Sequence, residues 1–402
     1  MPNTHRVAVR MSSEVLCRLV LLGLLLFALS ACQALPVNTQ SVVPKTGESV
    51  NVSSTPEIMV LDTQHSQSLQ DIVPMLAKKR VVFVGETHDR YEHHLNQLAV
   101  IQALYARDPE LAIGLEFFQT SVQPVLDDYI DGKIDEQAFL EKTEYYDRWQ
   151  YDYRLYRPII NFARDKQIPL VALNLPSEIT KKVGKEGIAA LSKEEKHLAP
   201  ESIDREVPGY RERIESVFYG HPGMEKRNID FFIEAQLLWD EGMAEQAAKY
   251  LNENTSKKMV VLAGAGHIMH GSGIPIRLKR RINEEFATVL TGGSIDISSR
   301  AADYILFSKE KDLPKSGLMG VLLEPVKQGM TVGSFSPGSE AEKAGLLKGD
   351  RIISVEGRPV SKISDIRLVL WDKLPGDNVH VVIMRDVAGK SAVKHEFDVA
   401  LM

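Results

Sequence analysis

Short runs of apolar, mostly β-branched residues alternate with longer stretches of helical periodicity between residues 80 and 308. The clearest runs are Val81-Val82-Phe83-Val84 and Met259-Val260-Val261-Leu262. An unbroken apolar run of this length is typical of a strand that is buried on both faces. Strands are therefore predicted at 80–85, 111–117, 170–175 and 258–263, with two further edge strands at 287–290 and 304–307.

Helical patterns occupy the segments between these strands. Between residues 90 and 106, apolar side chains recur at steps of three, as Leu95, Leu98, Ile101 and Leu104. This spacing predicts one apolar helix face, and residues 121–165 and 177–251 are also predicted to be mainly helical. Strands that alternate with helices favour an α/β fold, a mostly parallel sheet flanked by helices. The long segment 177–251 is predicted to form a helical cap over one end of that sheet.

The last ninety residues have a different pattern. The segment 336–360, which includes Ser336-Pro337-Gly338-Ser339 and Gly349-Asp350-Arg351-Ile352-Ile353, resembles the signature of an HtrA-type PDZ domain. This resemblance implies a small β-rich domain. It also implies that Gly317-Leu318-Met319-Gly320 binds a peptide's terminal carboxylate and that the strand starting at Val321 pairs with the peptide.

The first residues have the pattern of an export signal. Arg6, Arg10 and Arg18 precede an apolar run at 19–29, which ends in Leu29-Ser30-Ala31-Cys32. A basic start, a short apolar segment and small residues at its end predict a cleaved signal peptide. The final tetrapeptide resembles a lipobox, which predicts that Cys32 is lipidated. Gln33 then favours anchoring to the outer membrane, on its periplasmic side or at the cell surface.

These patterns divide the chain into four predicted parts. They are a signal peptide at 1–31, a flexible tether at 32–55, an α/β domain at 56–308, and a PDZ domain with a short linker at 309–402. The tether is predicted because its residues are polar or small and lack periodicity.

Composition narrows the class of protein. The chain has 402 residues, of which 44% are hydrophobic and 25% are charged, as in ordinary globular proteins. Its formal net charge of −6 argues against nucleic acid as a partner, since such proteins usually carry a basic surplus. The two cysteines are Cys17, which leaves with the signal, and Cys32. No disulfide and no cysteine-based metal site is therefore expected in the mature protein.

Polar residues follow the ends of three predicted strands. Glu86 and His88 follow the first, Glu116 ends the second, and His267 follows the strand at 258–263. Ligands bind beyond the carboxyl ends of strands in open α/β sheets, so these four residues are predicted to share one site. Carboxylate and imidazole groups suit a divalent metal such as Mn, Zn or Co. The same groups would be the catalytic residues if the protein is an enzyme.

An aromatic segment offers a second kind of site. Six aromatic residues lie between 145 and 156, and they include Tyr153 and Tyr156. They either pack into the core or form a surface for a planar ligand such as haem, whose iron can be held by tyrosine. Tyr219 and His221, beside Gly220 and Pro222, form another Tyr/His pair predicted to lie in a loop. Tyr153, Tyr156, Tyr219 and His221 are thus the haem-binding candidates.

The motifs together resemble one family. The chain resembles the ChaN-like lipoproteins over residues 55–290. The motifs that carry the resemblance are Gly85-Glu86-Thr87-His88, Glu116-Phe117-Phe118, Trp149 with Tyr153, Arg227-Asn228 and Gly264-Ala265-Gly266-His267-Ile268. These lipoproteins are relatives of Tiki-type metalloproteases and erythromycin-esterase-like proteins. The resemblance implies an iron-regulated protein of the outer membrane that binds haem noncovalently, as a homodimer with stacked haems. In the Tiki-like relatives, equivalent Glu and His residues bind a divalent metal for peptide hydrolysis.

Three functions follow as hypotheses. The first is a haem-binding lipoprotein for iron acquisition, whose PDZ domain recruits a peptide or protein partner. The second is a divalent-metal-dependent hydrolase that uses Glu86, His88, Glu116 and His267. The third is a PDZ-based scaffold with an inert α/β domain. The first is preferred, so the chain is predicted to be a binding protein rather than an enzyme.

Overall fold

A computed structural model of the chain describes residues 58–61, 66–220, 222–293, 301–386 and 391–402. The predicted signal peptide, Cys32 and the predicted tether up to residue 55 lie outside the described residues, and so does His221.

The α/β domain contains eight described strands and twelve described α-helices. The strands are β1 (Ile58–Leu61), β2 (Ser66–Ser68), β3 (Val81–Glu86), β4 (Leu111–Gln119), β5 (Leu170–Asn174), β6 (Lys258–Gly264), β7 (Phe286–Thr291) and β8 (Tyr304–Ser308). The helices are α1 (Leu69–Leu76), α2 (Tyr91–Tyr105), α3 (Gln123–Ile130), α4 (Glu136–Lys142), α5 (Tyr145–Arg148), α6 (Tyr153–Asp165), α7 (Ser177–Glu186), α8 (Lys193–Lys196), α9 (Tyr210–Gly220), α10 (Ile229–Glu253), α11 (Ala265–Ile268) and α12 (Ile274–Ile282).

The strands form one sheet in the order β2-β1-β8-β7-β3-β6-β4-β5. The six strands from β8 to β5 are parallel to their neighbours, whereas β1 pairs antiparallel with both β8 and β2. Burial of β3 and β4 along their whole length agrees with the unbroken apolar runs of the sequence. The mostly parallel sheet flanked by helices is confirmed.

The prediction that 287–290 and 304–307 are edge strands is wrong. Strand β7 lies between β8 and β3, and β8 is covered by β1. The physical reason is that the short strand Ile58–Leu61, which the sequence pattern did not single out, returns the start of the domain to that edge.

Helices cover both faces of the sheet and one of its ends. Helices α2 and α6 pack together on one face, and α10 and α12 pack on the other. Helix α10 begins where Asn228 accepts hydrogen bonds from the backbone N–H groups of Asp230 and Phe231, which satisfies donors that a helix start leaves unpaired. Helices α7, α9 and the first half of α10 form the layer predicted as a cap. Among the described residues, no helix is both long and apolar enough to cross a membrane.

The C-terminal region is a second, antiparallel sheet with its own apolar core. Its elements are β9 (Val321–Val326), β10 (Gly329–Phe335), α13 (Glu340–Ala344), β11 (Arg351–Val355), β12 (Arg358–Pro359), α14 (Ile363–Leu370), β13 (Asn378–Arg385) and β14 (Val393–Ala400). The strand order is β14-β13-β11-β10-β9. Strand β9 therefore has an unpaired edge among the described residues.

Helix α14 and the residue after it join the two domains. Ser364 donates its hydroxyl to Asp147 at 2.7 Å, and Arg367 donates to the carbonyl of Gln150 at 2.9 Å. The indole N–H of Trp371 donates to Gln137 at 2.7 Å, and its ring belongs to the apolar core of the α/β domain. The PDZ domain is thus packed against the segment 145–151.

Candidate functional site

Three neighbouring strands bring the predicted residues together. The order β3-β6-β4 places β6 between the other two, so their carboxyl ends lie side by side. Glu86 is the last residue of β3, Glu116 lies in the second half of β4, and His267 lies in the short helix after β6. Together with His88, all four predicted residues are buried at this edge of the sheet.

Glu86 and His88 contact each other directly. The Nδ1 atom of His88 lies 2.5 Å from Oε1 of Glu86. The strand β3 ends at Glu86, and His88 reaches back to it from the turn that follows. Burial alone would raise the pKa of Glu86. The charge and the hydrogen bond of His88, together with the electrostatic interaction with His94, outweigh this effect and hold the pKa of the carboxyl below its ordinary value. Glu86 is therefore held as a carboxylate.

Glu116 connects this pair to the second motif. Its Oε2 atom accepts the backbone N–H of Gly264 at 2.6 Å, and its Oε1 atom lies 3.4 Å from Nε2 of His267. A Cβ atom at Gly264 would lie 3.0 Å from Cε1 of His88. The glycine is thus needed for His88 to approach the strand end closely.

Asp240 orients His267 from helix α10. Its Oδ1 atom lies 2.6 Å from Nδ1 of His267, and its Oδ2 atom accepts the hydroxyl of Tyr210 at 2.6 Å. Burial raises the pKa of Asp240, but the charge and hydrogen bond of His267 bring it below the usual value. A carboxylate bonded to Nδ1 directs Nε2 toward Glu116, which is how second-layer carboxylates orient metal-binding histidines.

The central trio has the composition and spacing of a metal site. One ligand atom from each of Glu86, His88 and Glu116 lies within 4.8 Å of the others. The Oε2 atom of Glu86 is buried without a hydrogen-bond partner among the described residues. Two carboxylates and one imidazole suit a divalent cation, so the residues fit such a group. His267 adjoins the trio through Glu116.

Two further histidines support the loop that carries His88. His93 accepts the backbone N–H of Thr87 at Nδ1, at 3.0 Å, and His94 donates from Nε2 to the carbonyl of His88 at 3.1 Å. Both side chains are buried. Burial, the largest cause, lowers the pKa of His93 to about 4, so this imidazole is neutral near pH 7.

A cleft of about 300 Å³ opens above the trio. His88, Glu116 and His267 contribute to its lining, and apolar walls are added by Trp149, Tyr151, Leu175, Phe232 and Trp239. The rings of Trp149 and Tyr151 each lie 4.9 Å from the ring of His88. Because the PDZ domain contacts Gln150 between these two residues, it supports one wall of the cleft.

The tyrosine candidates lie in very different surroundings. Tyr153 and Tyr156 are fully buried in the aromatic core, and burial raises the pKa of both phenols well above the ordinary value. This favours the core-packing interpretation for these two residues, since an iron ligand must be reachable and is bound as phenolate. Tyr219, by contrast, is 71% exposed. The prediction that it lies in a loop is wrong, because the helix α9 continues through Tyr219 to Gly220.

The predicted peptide-binding residues precede and begin the open edge strand. Gly320 has a φ of 74°, a conformation that favours glycine. The N–H of Leu318 is already bonded to the carbonyl of Met402 at 3.1 Å, so Leu318 does not offer it to a peptide. Val321 starts β9, where Leu322 and Val326 expose their side chains.

Sequence reasoning missed Asp240 and two of the cations that line the cleft, Lys181 and Lys185. Asp240 had a usable signal, because it interrupts a face of α10 whose other positions, such as Leu237 and Ala244, are apolar. Lys181 and Lys185 had no usable signal, because surface helices commonly carry exposed basic residues.

Comparison with known proteins agrees with this architecture. A sequence model described as "Haem-binding uptake, Tiki superfamily, ChaN" matches residues 72–278, and a PDZ domain model matches residues 317–394. A solved structure of Campylobacter jejuni ChaN, described by its cofacial haem binding, aligns with a TM-score of 0.51 and 21% identity. The alignment covers 63% of this chain and 97% of that one, and it supports a shared fold.

Two curated proteins match parts of the chain. Protein RETICULATA-RELATED 5 of Arabidopsis thaliana, a chloroplastic protein, is 24% identical over 54% of this chain and 31% of its own length. The serine protease Do-like HtrA of Bacillus subtilis is 30% identical over 31% of this chain and 27% of its own length. The chain thus spans only about a third of these relatives. The match to residues 72–278, half of the chain, makes this protein a member of the ChaN haem-binding uptake family of the Tiki superfamily, with an added PDZ domain.

Proposed function

We propose that this protein binds haem noncovalently through its α/β domain and takes part in iron acquisition. Membership of the ChaN family over residues 72–278 supports this proposal. The solved Campylobacter jejuni relative is described as binding haem cofacially. The proposal includes that this chain forms a homodimer in which two haems are stacked.

The observation that carries the proposal is the accessibility of Tyr219. Its ring lies 5.3 Å from that of Phe218, which packs at 5.3 Å against Phe232 in the cleft wall. Tyrosine is a known ligand type for haem iron. Tyr219 therefore combines a suitable donor with an exposed position that is connected to the cleft wall through Phe218 and Phe232. Tyr153 and Tyr156 are buried and do not offer this combination.

Titration of the purified protein with haem, followed by absorbance, tests this assignment. We expect a saturable shift of the Soret band in the wild type and its weakening in Tyr219→Phe. Tyr105→Phe is the matched control, because Tyr105 lies at the end of α2, away from the cleft. A wild type that never saturates would contradict haem binding, and an unchanged Tyr219→Phe titration would exclude Tyr219 as the ligand.

Membrane anchoring through Cys32 completes the proposed uptake function. It is supported by the lipobox-like Leu29-Ser30-Ala31-Cys32 at the end of an apolar run. In a cell fractionation we expect the wild type in the outer membrane and Cys32→Ala outside the membrane fraction. Equal distribution of the two would refute the lipid anchor.

The PDZ domain is proposed to recruit a peptide or protein partner. Strand β9 offers an unpaired edge among the described residues, and exposed Leu322 and Val326 flank it. An extended peptide can add to such an edge by main-chain hydrogen bonds.

A metal-dependent hydrolase is the second candidate, and the buried trio favours it. Glu86, His88 and Glu116 would hold a divalent cation, which would supply a Lewis acid for the activation of water. Asp240 would keep His267 oriented toward Glu116. Peptide hydrolysis that requires added metal and disappears in Glu86→Gln would favour this function, and hydrolysis that survives this substitution would exclude it.

A further inference from the structure

The cleft above the trio is bordered by whole faces of two helices. Helix α7 contributes Ser177, Thr180, Lys181, Gly184 and Lys185, and helix α10 contributes Phe232, Ala235, Gln236 and Trp239. Both sets recur at intervals of three and four residues, the spacing of one helix face. The walls of the cleft are therefore formed by regular faces of α7 and α10.

The charges that line this cleft are unbalanced. Apart from Glu116 at its floor, the lining residues with a permanent charge are the cations Arg148, Lys181, Lys185 and Arg227. Arg148 is paired with Glu144 at 2.6 Å, and Lys185 with Glu186 at 3.2 Å. Among the side chains that the structure describes, which do not include that of Glu225, no carboxylate lies within ion-pair distance of Lys181 or Arg227. An anionic group in the cleft would supply the missing counter-charge.

Local structure brings these two cations to the same wall. Gly184 follows Lys181 by three residues on α7, which places it on the same helix face. A Cβ atom at Gly184 would be 3.8 Å from Nη2 of Arg227 and 3.6 Å from Cβ of Ala235. Arg227 directly precedes Asn228, the N-cap of the 25-residue helix α10. The positive end of that helix dipole adds to the attraction for an anion.

Most of the remaining lining surface is apolar or aromatic, although neutral polar side chains such as Gln119, Asn174 and Gln236 also contribute to it. Trp149 and Tyr151 come from the segment after α5, while Phe232 and Trp239 come from α10. Aromatic walls favour a flat or apolar body over a hydrated one. The cleft thus combines an apolar interior with two cations.

We propose that this cleft binds an apolar or aromatic ligand that carries a carboxylate, with the carboxylate paired to Lys181 and Arg227. One source of this carboxylate is a propionate of haem, and for this source the inference rests on the proposed haem-binding function. The other source is the carboxylate of a fatty acid. The apolar body packs against Trp149 and Trp239, above Glu86, His88 and Glu116.

A pair of probes that differ only in charge tests the inference. The full chain is titrated with pyrenebutyrate and with neutral pyrenebutanol. Binding is read from tryptophan fluorescence, since Trp149 and Trp239 line the cleft. We expect at least a tenfold preference for pyrenebutyrate, which disappears in Lys181→Gln/Arg227→Gln. The control Arg107→Gln/Lys166→Gln removes the same charge from exposed residues that precede β4 and β5, at the opposite edge of the sheet, and should keep the preference.

The outcomes separate this inference from the proposed function. Equal binding of the two probes, or an unchanged preference in Lys181→Gln/Arg227→Gln, would overturn the inference even if haem saturates the protein. A lost preference in that variant, together with no haem saturation, would support the inference and refute haem binding. Displacement of pyrenebutyrate by haemin assigns the carboxylate to a porphyrin, and displacement by oleate alone assigns it to a fatty acid.

Discussion

Glu116 is the residue through which the two histidine motifs meet. One of its oxygens accepts the N–H of Gly264, and the other lies beside His267. The same carboxylate shares the 4.8 Å cluster with Glu86 and His88. We therefore expect the affinity of this cluster for a cation to depend on the negative charge of the Glu116 side chain more than on the shape of that side chain.

Substitution of Glu116 by Gln separates charge from shape. The amide oxygen can still accept from Gly264, so we expect the metal-free protein to keep its melting temperature within a few degrees. The stabilisation by added Mn²⁺ or Zn²⁺ should be lost, because ligand binding to the native state is what raises the melting temperature. Thermal unfolding with and without metal measures this, and a metal-induced shift equal to that of the wild type would argue against the site.

His93 predicts a pH dependence of stability. Its pKa is about 4 in the folded protein and near 6.5 when unfolded, so the unfolded state binds the extra proton between these values. Stability contributed by neutral His93 is present above pH 6.5 and is lost as the pH falls toward 4. The loss at pH 5 is about 2 kcal/mol.

The variant His93→Gln isolates this effect from that of other groups near His93, which are Glu86, Glu92, His94 and Arg90. Glutamine can still accept from Thr87, but it does not titrate. Urea unfolding at pH 8 and pH 5 should show a smaller loss of stability in the variant than in the wild type. Identical losses would show that His93 is not buried as described.

At the scale of elements, helix α10 links the cap to the sheet. Its N-terminal half lines the cleft through Phe232 and Trp239, and its middle carries Asp240 to the end of β6. One rigid helix thus fixes both the wall of the cleft and the orientation of His267.

Asp240→Asn should weaken metal binding about 10- to 100-fold, the usual effect of losing an outer-layer carboxylate, because Asp240 orients His267 against Glu116 of the trio. Tyr210→Phe is the matched control, because it removes the other hydrogen bond to Asp240 and leaves His267 in place. Metal titration by calorimetry distinguishes the two variants. Equal affinities in Asp240→Asn and Tyr210→Phe would contradict the orienting role.

The elements also show what the sequence could and could not predict. The spacing of Glu86 and His88 predicted that they share one site, and they are in contact. The local geometry was not predicted, because His88 lies in the turn after β3 and not in an extended segment. The neighbour relation of β3, β6 and β4 was not readable, since it depends on pairings between strands far apart in the sequence. Strand β1 was missed because four residues carry too little periodicity, and this omission produced the wrong edge assignment for β8. Strand β7 is internal because it pairs with both β3 and β8.

At the scale of the whole molecule, Trp371 joins two domains with separate cores. Its ring is 8% exposed within the core of the α/β domain, and the guanidinium of Arg157 lies 4.6 Å from its centroid. The apolar core of the PDZ domain does not include Trp371. We therefore expect Trp371 to contribute more to the stability of the domain interface than to the stability of the PDZ fold.

Trp371→Ala should uncouple the domains. Truncation of a buried tryptophan costs about 3–5 kcal/mol, and here the loss falls on the interface and on the α/β core. In calorimetry we expect the α/β transition to move to lower temperature while the PDZ transition stays. Leu374→Ala, at a 59% exposed position nearby, should change neither. A Trp371→Ala scan that matches the wild type would refute the coupling.

The central claim, that this member of the ChaN family binds haem, is tested most directly by one titration. Purified protein is titrated with haem, the Soret band is recorded, and bound metal is measured on the untreated sample. We predict saturation at a fixed ratio of haem to chain, with little metal bound beforehand. Absence of saturation, together with a stoichiometric divalent metal that is lost in Glu86→Gln, would contradict the haem-binding account and favour the metal-dependent hydrolase.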